Sequence, residues 1–355
     1  MKGHLILLDH LDGPAGPVES AVLMRDGKLE DLLIDSDRPR PGTIYRALAD
    51  RPVKGQGGMF MTTPDGSAFL RQIKGLSPGA PLLVQVSGYA DPGKAIPVTT
   101  KLLFKSRYAI VTPGAPGLNV SRQIKDEAIR DTLLELAHET LAGHPILATD
   151  PAGGLILRSS CEEADPDEVA EDIRAMADLA ARILGDADGP AEKLVDGDGP
   201  HALAWREWIQ PAQIETEPGC FAHHEVLDKI AALFRPEVPL NGGVMFVEPT
   251  RAFTAVDVNT GRDTSLAAGL KANLAAARDL PRQLRLRGLG GQVILDLAPM
   301  PKKDRPSFEG ALRAALRSDD TDTVMAGWTP LGNFELQRKR ARQPLSEVVT
   351  PEMVG

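Results

Sequence analysis

The sequence predicts a mixed α/β (α+β) protein of more than one domain, and three observations predict it. Between residues 242 and 300 two β-branched runs, a long helical run and an apolar strand follow one another. Between residues 43 and 98 short apolar runs are separated by Gly and Pro, the spacing of a small barrel. The chain has 355 residues, 42% of them hydrophobic and 25% charged, enough for two or three domains with ample core.

Residues 5–8 read as a first strand. Residues 21–24 and 29–34 form a hairpin around Asp26-Gly27, a favoured turn pair. Asp9 invites comparison with a ribonuclease-H active site, but no matching acids follow and that reading is rejected. Residues 44–46, 58–61, 67–70 and 81–86 are the barrel strands, and Phe60 and Phe69 lie on two of them. Either phenylalanine suits a core equally well as a surface on which bases stack. Residues 94–100 lead out of the barrel, and residues 107–113 form another strand.

Residues 126–141 have helical periodicity, with Ile129, Leu133, Leu136 and Leu141 facing inward. His138-Glu139 is not a zinc motif, because Ala142 stands where a second His is required. Residues 154–157 read as a buried strand closed by Arg158-Ser159-Ser160. An Arg there can fork onto a phosphate or pair with nearby acids. An acidic helix over 163–184 buries Val169, Ile173, Met176 and Ile183, and residues 185–200 read as a mobile loop. Trp205 and Trp208 are expected on the next helix, which packs them into the core. Residues 226–234 are helical, and the adjacent His223 and His224 do not share a helix face as zinc ligands would.

The stretch from 242 to 300 carries the chemistry. Residues 244–248 and 252–259 form a hairpin about Pro249-Thr250-Arg251. Alternation along the second strand puts Val256 and Val258 in a core and Asp257 and Asn259 on the other face. The helix over 265–287 is expected to bury Leu266, Leu270, Leu274, Ala277 and Leu284, with Lys271, Arg278, Arg282, Arg285 and Arg287 as cations along the rest. Gly288, Gly290 and Gly291 end it. Residues 292–297 read as a strand buried on both faces. Asp296 in that strand is costly unless something pairs with it. A divalent cation shared with Asp257 and Asn259 would do so, and these hard oxygen donors suit magnesium. The same Asp-Val-Asn-Thr-Gly run is equally a turn sequence. An EF-hand is excluded because Ala268 occupies the twelfth loop position, and the glycines precede a strand and so form no dinucleotide fingerprint. A helix over 307–317, a last strand over 323–327 and a basic helix ending in residues 338–342 complete the chain.

Charge is unevenly spread. Residues 162–198 hold 13 acids and 3 bases, while the remainder has 37 bases and 36 acids, within a net charge of −9. Basic clusters at Lys101, Lys105 and Arg107, at Lys302, Lys303 and Arg305, and at Arg338, Lys339, Arg340 and Arg342 either track phosphates or are solvated faces. No segment approaches the ~20 apolar residues of a membrane span, and the N-terminal apolar run is too short for a signal peptide. Cys161 and Cys220 are isolated, so no disulfide framework or cysteine zinc site is indicated. A soluble, cytoplasmic protein is expected.

The runs TAVDVNTGR, NLAAARDLPRQLRLRGLGG and VILDL, in this order, closely resemble the catalytic core of the ribonuclease E/G family. The resemblance implies a ribonuclease-H-like scaffold (residues 1–42 and 99–215), an inserted, trimmed OB-fold barrel (43–98) and a deoxyribonuclease-I-like catalytic subdomain (216–355). It implies that Asp257 and Asp296, helped by Asn259, hold a catalytic Mg2+. It also implies a 5′-phosphate sensor of Arg158, Ser159 and Ile110, and RNA contacts at Phe60, Phe69, Lys94, Arg338 and Arg340. The expected activity is cleavage of single-stranded RNA to 5′-phosphate and 3′-hydroxyl products, favouring 5′-monophosphate ends, in RNA processing or decay. The alternative is an RNA-binding relative with weak or no cleavage. Pro299 stands where a second acid is usual, Pro281 where a small helix former is usual, and Ser106 where Gly is usual. Residues 190–218 carry least of the resemblance. The cysteine-containing zinc link is not found after Arg342, so a monomer or weak dimer is expected rather than a zinc-linked oligomer.

Overall fold

The computed structural model describes residues 3–53, 57–73, 75–91, 93–149, 152–263 and 265–355. Its contacts divide the chain into two compact units, one of Met1–Ser36 with Gln210–Gly355, the other of Asp37–Ile209.

In the unit Asp37–Ile209, five strands close into a barrel. Ile44–Val53, Gly58–Thr63, Gly66–Leu70, Ile96–Thr99 and Pro81–Val86 follow one another around it, and the last pairs back onto the first. Closure removes the sheet edges. Tyr45, Ala47, Met59, Met61, Ala68, Leu70, Val84 and Val98 fill the interior. Residues 185–200 are not the expected loop: Glu192–Val195 is a sixth strand, paired with Ile44–Val53. The buried Arg46 holds this segment, donating to the Asp186 and Pro190 carbonyls and pairing with the Asp186 and Glu192 carboxylates.

A four-stranded sheet in the same unit runs Gly117–Val120, Gly154–Leu157, Ala109–Thr112, Phe104–Lys105. Helices Glu127–Thr140 and Pro166–Gly185 pack on it through Leu133, Ala137, Val169, Ile173, Ala177 and Ile183. Asp126 caps the first helix by accepting from the Ala128 and Ile129 amides; Asp165 caps the second, with Pro166 at its first position. Gly154–Leu157 is not wholly buried, because Ile156 turns to the open face. Trp208 packs inside as expected, but Trp205 on helix Pro200–Glu207 is 57% exposed. The three-residue spacing sets the two indoles roughly 60° apart around a helix, and only one is covered.

In the other unit, Ala212–Glu215, His4–Gly13, Gly16–Arg25 and Lys28–Ile34 form a sheet in that order. The turn Asp26-Gly27 has φ of +50° and +77°, both left-handed, matching the twist of its hairpin. A second sheet of six strands runs Glu237–Leu240, Gly243–Pro249, Thr254–Asn259, Gly291–Asp296, Phe334–Arg338, Thr323–Trp328. Thr254–Asn259 and Gly291–Asp296 are parallel, so a crossover must join them, and helix Leu266–Leu286 does so.

That helix differs from expectation in its buried stripe. Leu266 is exposed, and Gly269, Ala272, Asn273, Ala276, Ala277, Leu280 and Leu284 face the sheet. Small residues in its first half let the backbone approach closely, so Leu266, Leu270 and Leu274 are displaced to the margin while Leu280 and Leu284 stay buried. Pro281 lies buried within the helix, which continues past it to Leu286. Packing of its neighbours outweighs the one hydrogen bond Pro removes. Gly291–Asp296 is buried on one face only: Val293 and Leu295 point inward, Gln292 and Asp296 outward. Helices Leu266–Leu286 and Arg305–Arg317 contribute to the core on that inner face.

The expected basic helix near the end is a strand, Phe334–Arg338, with Phe334, Leu336 and Arg338 alternating inward. Period-two alternation in Phe-Glu-Leu-Gln-Arg overrides the helical composition. Thr323–Trp328 is therefore not the last strand. Arg338 is 2% exposed; its guanidinium donates to Asp319 at 2.6 Å and to Thr323 at 2.9 Å. It is a core residue rather than a surface RNA contact. Arg285 pairs with Glu30, Asp31 and Asp319, and Arg342 with Asp31. Arg282 is held by Asp279 and the Leu29 carbonyl, and the buried Arg287 by Gln283 and the Arg235 carbonyl. These cations tie distant parts of this unit together and do not line a basic path. No helix among the described residues is long and apolar enough to cross a membrane.

Candidate functional site

Asp257 and Asp296 are direct partners in the parallel ladder. Adjacent strands lie about 4.8 Å apart and partnered side chains share a face, so the two carboxylates stand side by side. Val256 and Leu295 occupy the opposite, buried face. Asn259, two residues on, donates its amide to the Asp257 carboxylate at 2.6 Å, which limits the rotation of that group. Gly261, with φ +69°, then turns the chain away. The turn and the carboxylate pair thus use the same short run.

A second pair of residues, not found from sequence, holds the segment that follows Asp296. Asn273 is wholly buried; its amide donates to the Ala298 carbonyl at 2.8 Å and its oxygen accepts the Ala298 amide at 3.0 Å. Four residues earlier, Gly269 lies so close to Pro299 that a Cβ would meet its carbonyl at 2.2 Å. The segment after Asp296 is therefore docked on the helix at both i and i+4 positions. An Asn within a helical apolar stripe was the available signal.

The donors at this place fit a hard cation. Two carboxylates and an amide oxygen are few for calcium but suit magnesium, which keeps several waters and takes one or two carboxylates with substrate phosphates. Among the described residues no group of three or more His, Cys, Asp or Glu gathers as a metal cage. Both cysteine thiols are buried, and burial pushes each up to about 12, so neither is a thiolate ligand near neutrality.

On the barrel, Phe60 and Phe69 are a cross-strand pair, ring centroids 5.4 Å apart. They face outward, half-buried, while Met59, Met61, Ala68 and Leu70 fill the interior. The Phe69 ring lies over Gly58, where a Cβ would meet it at 2.4 Å, and the Arg51 guanidinium sits 5.2 Å from the Phe60 centroid. Two rings and a cation thus form one platform. Lys94 is exposed and paired with Asp91 at 2.5 Å.

Arg158 follows strand Gly154–Leu157. It donates to the Ser106 carbonyl at 2.6 Å and the Arg206 carbonyl at 3.3 Å, and pairs with Glu207 at 2.5 Å. Arg206 holds the other oxygen of Glu207 and pairs with Asp198. Burial alone would raise the Glu207 carboxyl, but Arg158 and Arg206 outweigh it and hold it below the usual carboxylate range. Ser159 opens a short 3-10 turn, and Ile110 partners Ile156 on the outer face of the sheet. The Ser106 hydroxyl is taken by Asp172. Arg340 is exposed and donates to the Gly290 carbonyl at 3.1 Å; unlike Arg338, it stands at the surface.

The model of the Ribonuclease E/G family matches residues 104–203 and 202–341. The ribonuclease E of Synechocystis sp. is 27% identical over 392 residues, covering 93% of this chain and 56% of the relative. The ribonuclease G of Escherichia coli K12 is 28% identical over 405 residues, covering 95% and 81%, and that of Salmonella typhimurium is 27% identical over the same span. The chain spans about half the length of the ribonuclease E relatives from Synechocystis and Nostoc.

Proposed function

The chain belongs to the ribonuclease E/G family, and we propose that it is a magnesium-dependent endoribonuclease acting on single-stranded RNA in processing or decay. The observation that carries this reading is the in-register pair Asp257 and Asp296, steadied by Asn259. Their donors suit a magnesium ion, which when bound supplies a Lewis acid and a nucleophilic water near neutral pH. Asp257 and Asp296 hold it, and Asn259 keeps the Asp257 carboxylate oriented. Asn273 positions the end of the strand that bears Asp296. Hydrolysis at that face leaves a 5′-phosphate and a 3′-hydroxyl.

Phe60 and Phe69 stack bases of the strand, with Lys94 and Arg340 as surface cations. Arg158, with Ser159 and Ile110, takes a 5′-monophosphate, for which Glu207 must yield its place on the guanidinium. In this reading the barrel is an OB-type module, beside ribonuclease-H-like and deoxyribonuclease-I-like parts. The protein acts in the cytoplasm.

Pro299 favours a second reading, an RNA-binding relative that cuts weakly or not at all, because a second acid is absent at that position. One experiment separates the two: fluorescent single-stranded RNA incubated with and without magnesium, beside Asp257→Asn. Cutting that requires both the metal and Asp257 supports the nuclease. Tight binding without cutting supports the binding module.

A further inference from the structure

Three segments of the unit Asp37–Ile209 meet around Arg158: the turn at Ser106-Arg107, residues 158–160, and the end of helix Pro200–Glu207. Arg158 donates to Ser106 and Arg206, the Ser160 hydroxyl donates to the Arg107 carbonyl at 2.5 Å, and Arg107 donates to the Trp205 carbonyl. The Arg107 guanidinium lies 4.1 Å from the Trp205 ring centroid. Among the described residues no carboxylate pairs with Arg107, whereas Glu207 and Asp198 are held by Arg158 and Arg206, Asp172 by Ser106 and Glu168 by Tyr108.

Trp205 is 57% exposed although it is large and apolar. One side of the indole is covered by a cation and much of the rest is open. Single-stranded RNA is bound by stacking unpaired bases on aromatic rings and guanidinium planes. Trp205 stands two residues from Glu207, the partner of the arginine assigned to the terminal phosphate. Arg158 and Arg107 donate to the adjacent carbonyls of Arg206 and Trp205, so a nucleotide whose phosphate sits on Arg158 has this ring among its nearest exposed surfaces.

We propose that Trp205 and Arg107 form a stacking subsite for the 5′-terminal nucleobase of RNA whose phosphate is taken by Arg158. The subsite rests on the reading of Arg158 as the phosphate grip. Stacking is tolerant of base identity, because every base has a π face. It adds affinity for a terminal nucleotide over inorganic phosphate, and it makes the 5′ end recognisable by base as well as by charge.

The test uses the full chain in EDTA, so that no cutting occurs, with binding read by fluorescence anisotropy. The probes are short single-stranded RNAs with a 5′-monophosphate or 5′-hydroxyl, intact or carrying one abasic nucleotide at successive positions. For the wild type, removal of the first base should weaken binding about 5- to 150-fold, the ~1–3 kcal/mol of one stacked base. Trp205→Ala should lose about as much on intact RNA and no longer respond to that base, while Trp205→Phe stays close to wild type. Should Trp205→Ala unfold, Trp205→Leu, which keeps apolar bulk without a ring, gives the same comparison. The subsite is overturned if the wild type ignores the first base, if the ringless variant responds to its removal as wild type does, or if the coupled base is internal. A phosphate preference lost in Arg158→Gln, with Trp205 uncoupled, defeats the subsite alone. Equal wild-type binding of phosphate and hydroxyl ends defeats the Arg158 reading itself.

Discussion

Replacing Arg338 by Met tests whether this arginine serves the fold or the RNA. Its side chain and that of Asp319 are each 1% exposed, and they are 2.6 Å apart. Removing one partner of a buried ion pair costs about 3–5 kcal/mol, because the other charge is left uncompensated. Arg285 still pairs with Asp319, so the lower end applies, about 3 kcal/mol. For a unit of this size each kcal/mol moves Tm by about 2–4 °C, so a drop of about 6–12 °C is expected. Urea titration and a thermal melt give the stability. RNA binding measured over a salt series on the folded fraction should keep its affinity and slope. A phosphate contact would behave oppositely, lowering the salt slope by about 0.7 without a loss of stability. That second outcome would refute the structural role and return Arg338 to the RNA surface.

Three further outcomes are expected. Asn273→Ala orphans the buried amide and carbonyl of Ala298, so it should cost about 2–4 kcal/mol and lower kcat more than it raises KM; a variant of full stability and activity would remove its positioning role. Asp31 is held below its ordinary value of 3.8: burial opposes this, but Arg342 and Arg285 prevail. A carboxylate depressed on folding contributes stability fully above its unfolded pKa, and that contribution is lost as pH falls through the folded value. Urea midpoints should therefore fall as pH drops below about 4, and Asp31→Asn, though less stable throughout, should show a flatter fall; parallel curves would count against the assignment. Phe60→Ala should weaken single-strand binding in EDTA about 5- to 150-fold, and equal anisotropy curves would show that the platform does not carry bases.

What could be read in advance follows from how local each signal is. Asp257, Asn259 and the alternating Val256 and Val258 are legible because strand alternation needs no distant information. Asp296 could be put on a strand, but its ladder partner is fixed by the crossover helix, which sequence spacing alone does not register. The helix stripe is not legible from apolar size, because close packing here selects Gly269, Ala272 and Ala276 and leaves Leu266 outside. Charge misled in the same way. Arg282, Arg285, Arg287 and Arg338 look like a basic path in a linear chain, yet their partners are carboxylates and carbonyls from distant positions, among them Glu30, Asp31 and Asp319. A cationic residue counts toward nucleic-acid binding only after its internal partners are subtracted, and those partners are known only from the fold. Among the candidate contacts this subtraction removes Arg338. Arg340 keeps its place at the surface, and the phenylalanine pair gains Arg51 as a neighbour. The same subtraction makes Arg107 visible: among the described residues its guanidinium rests on an exposed indole and has no carboxylate partner.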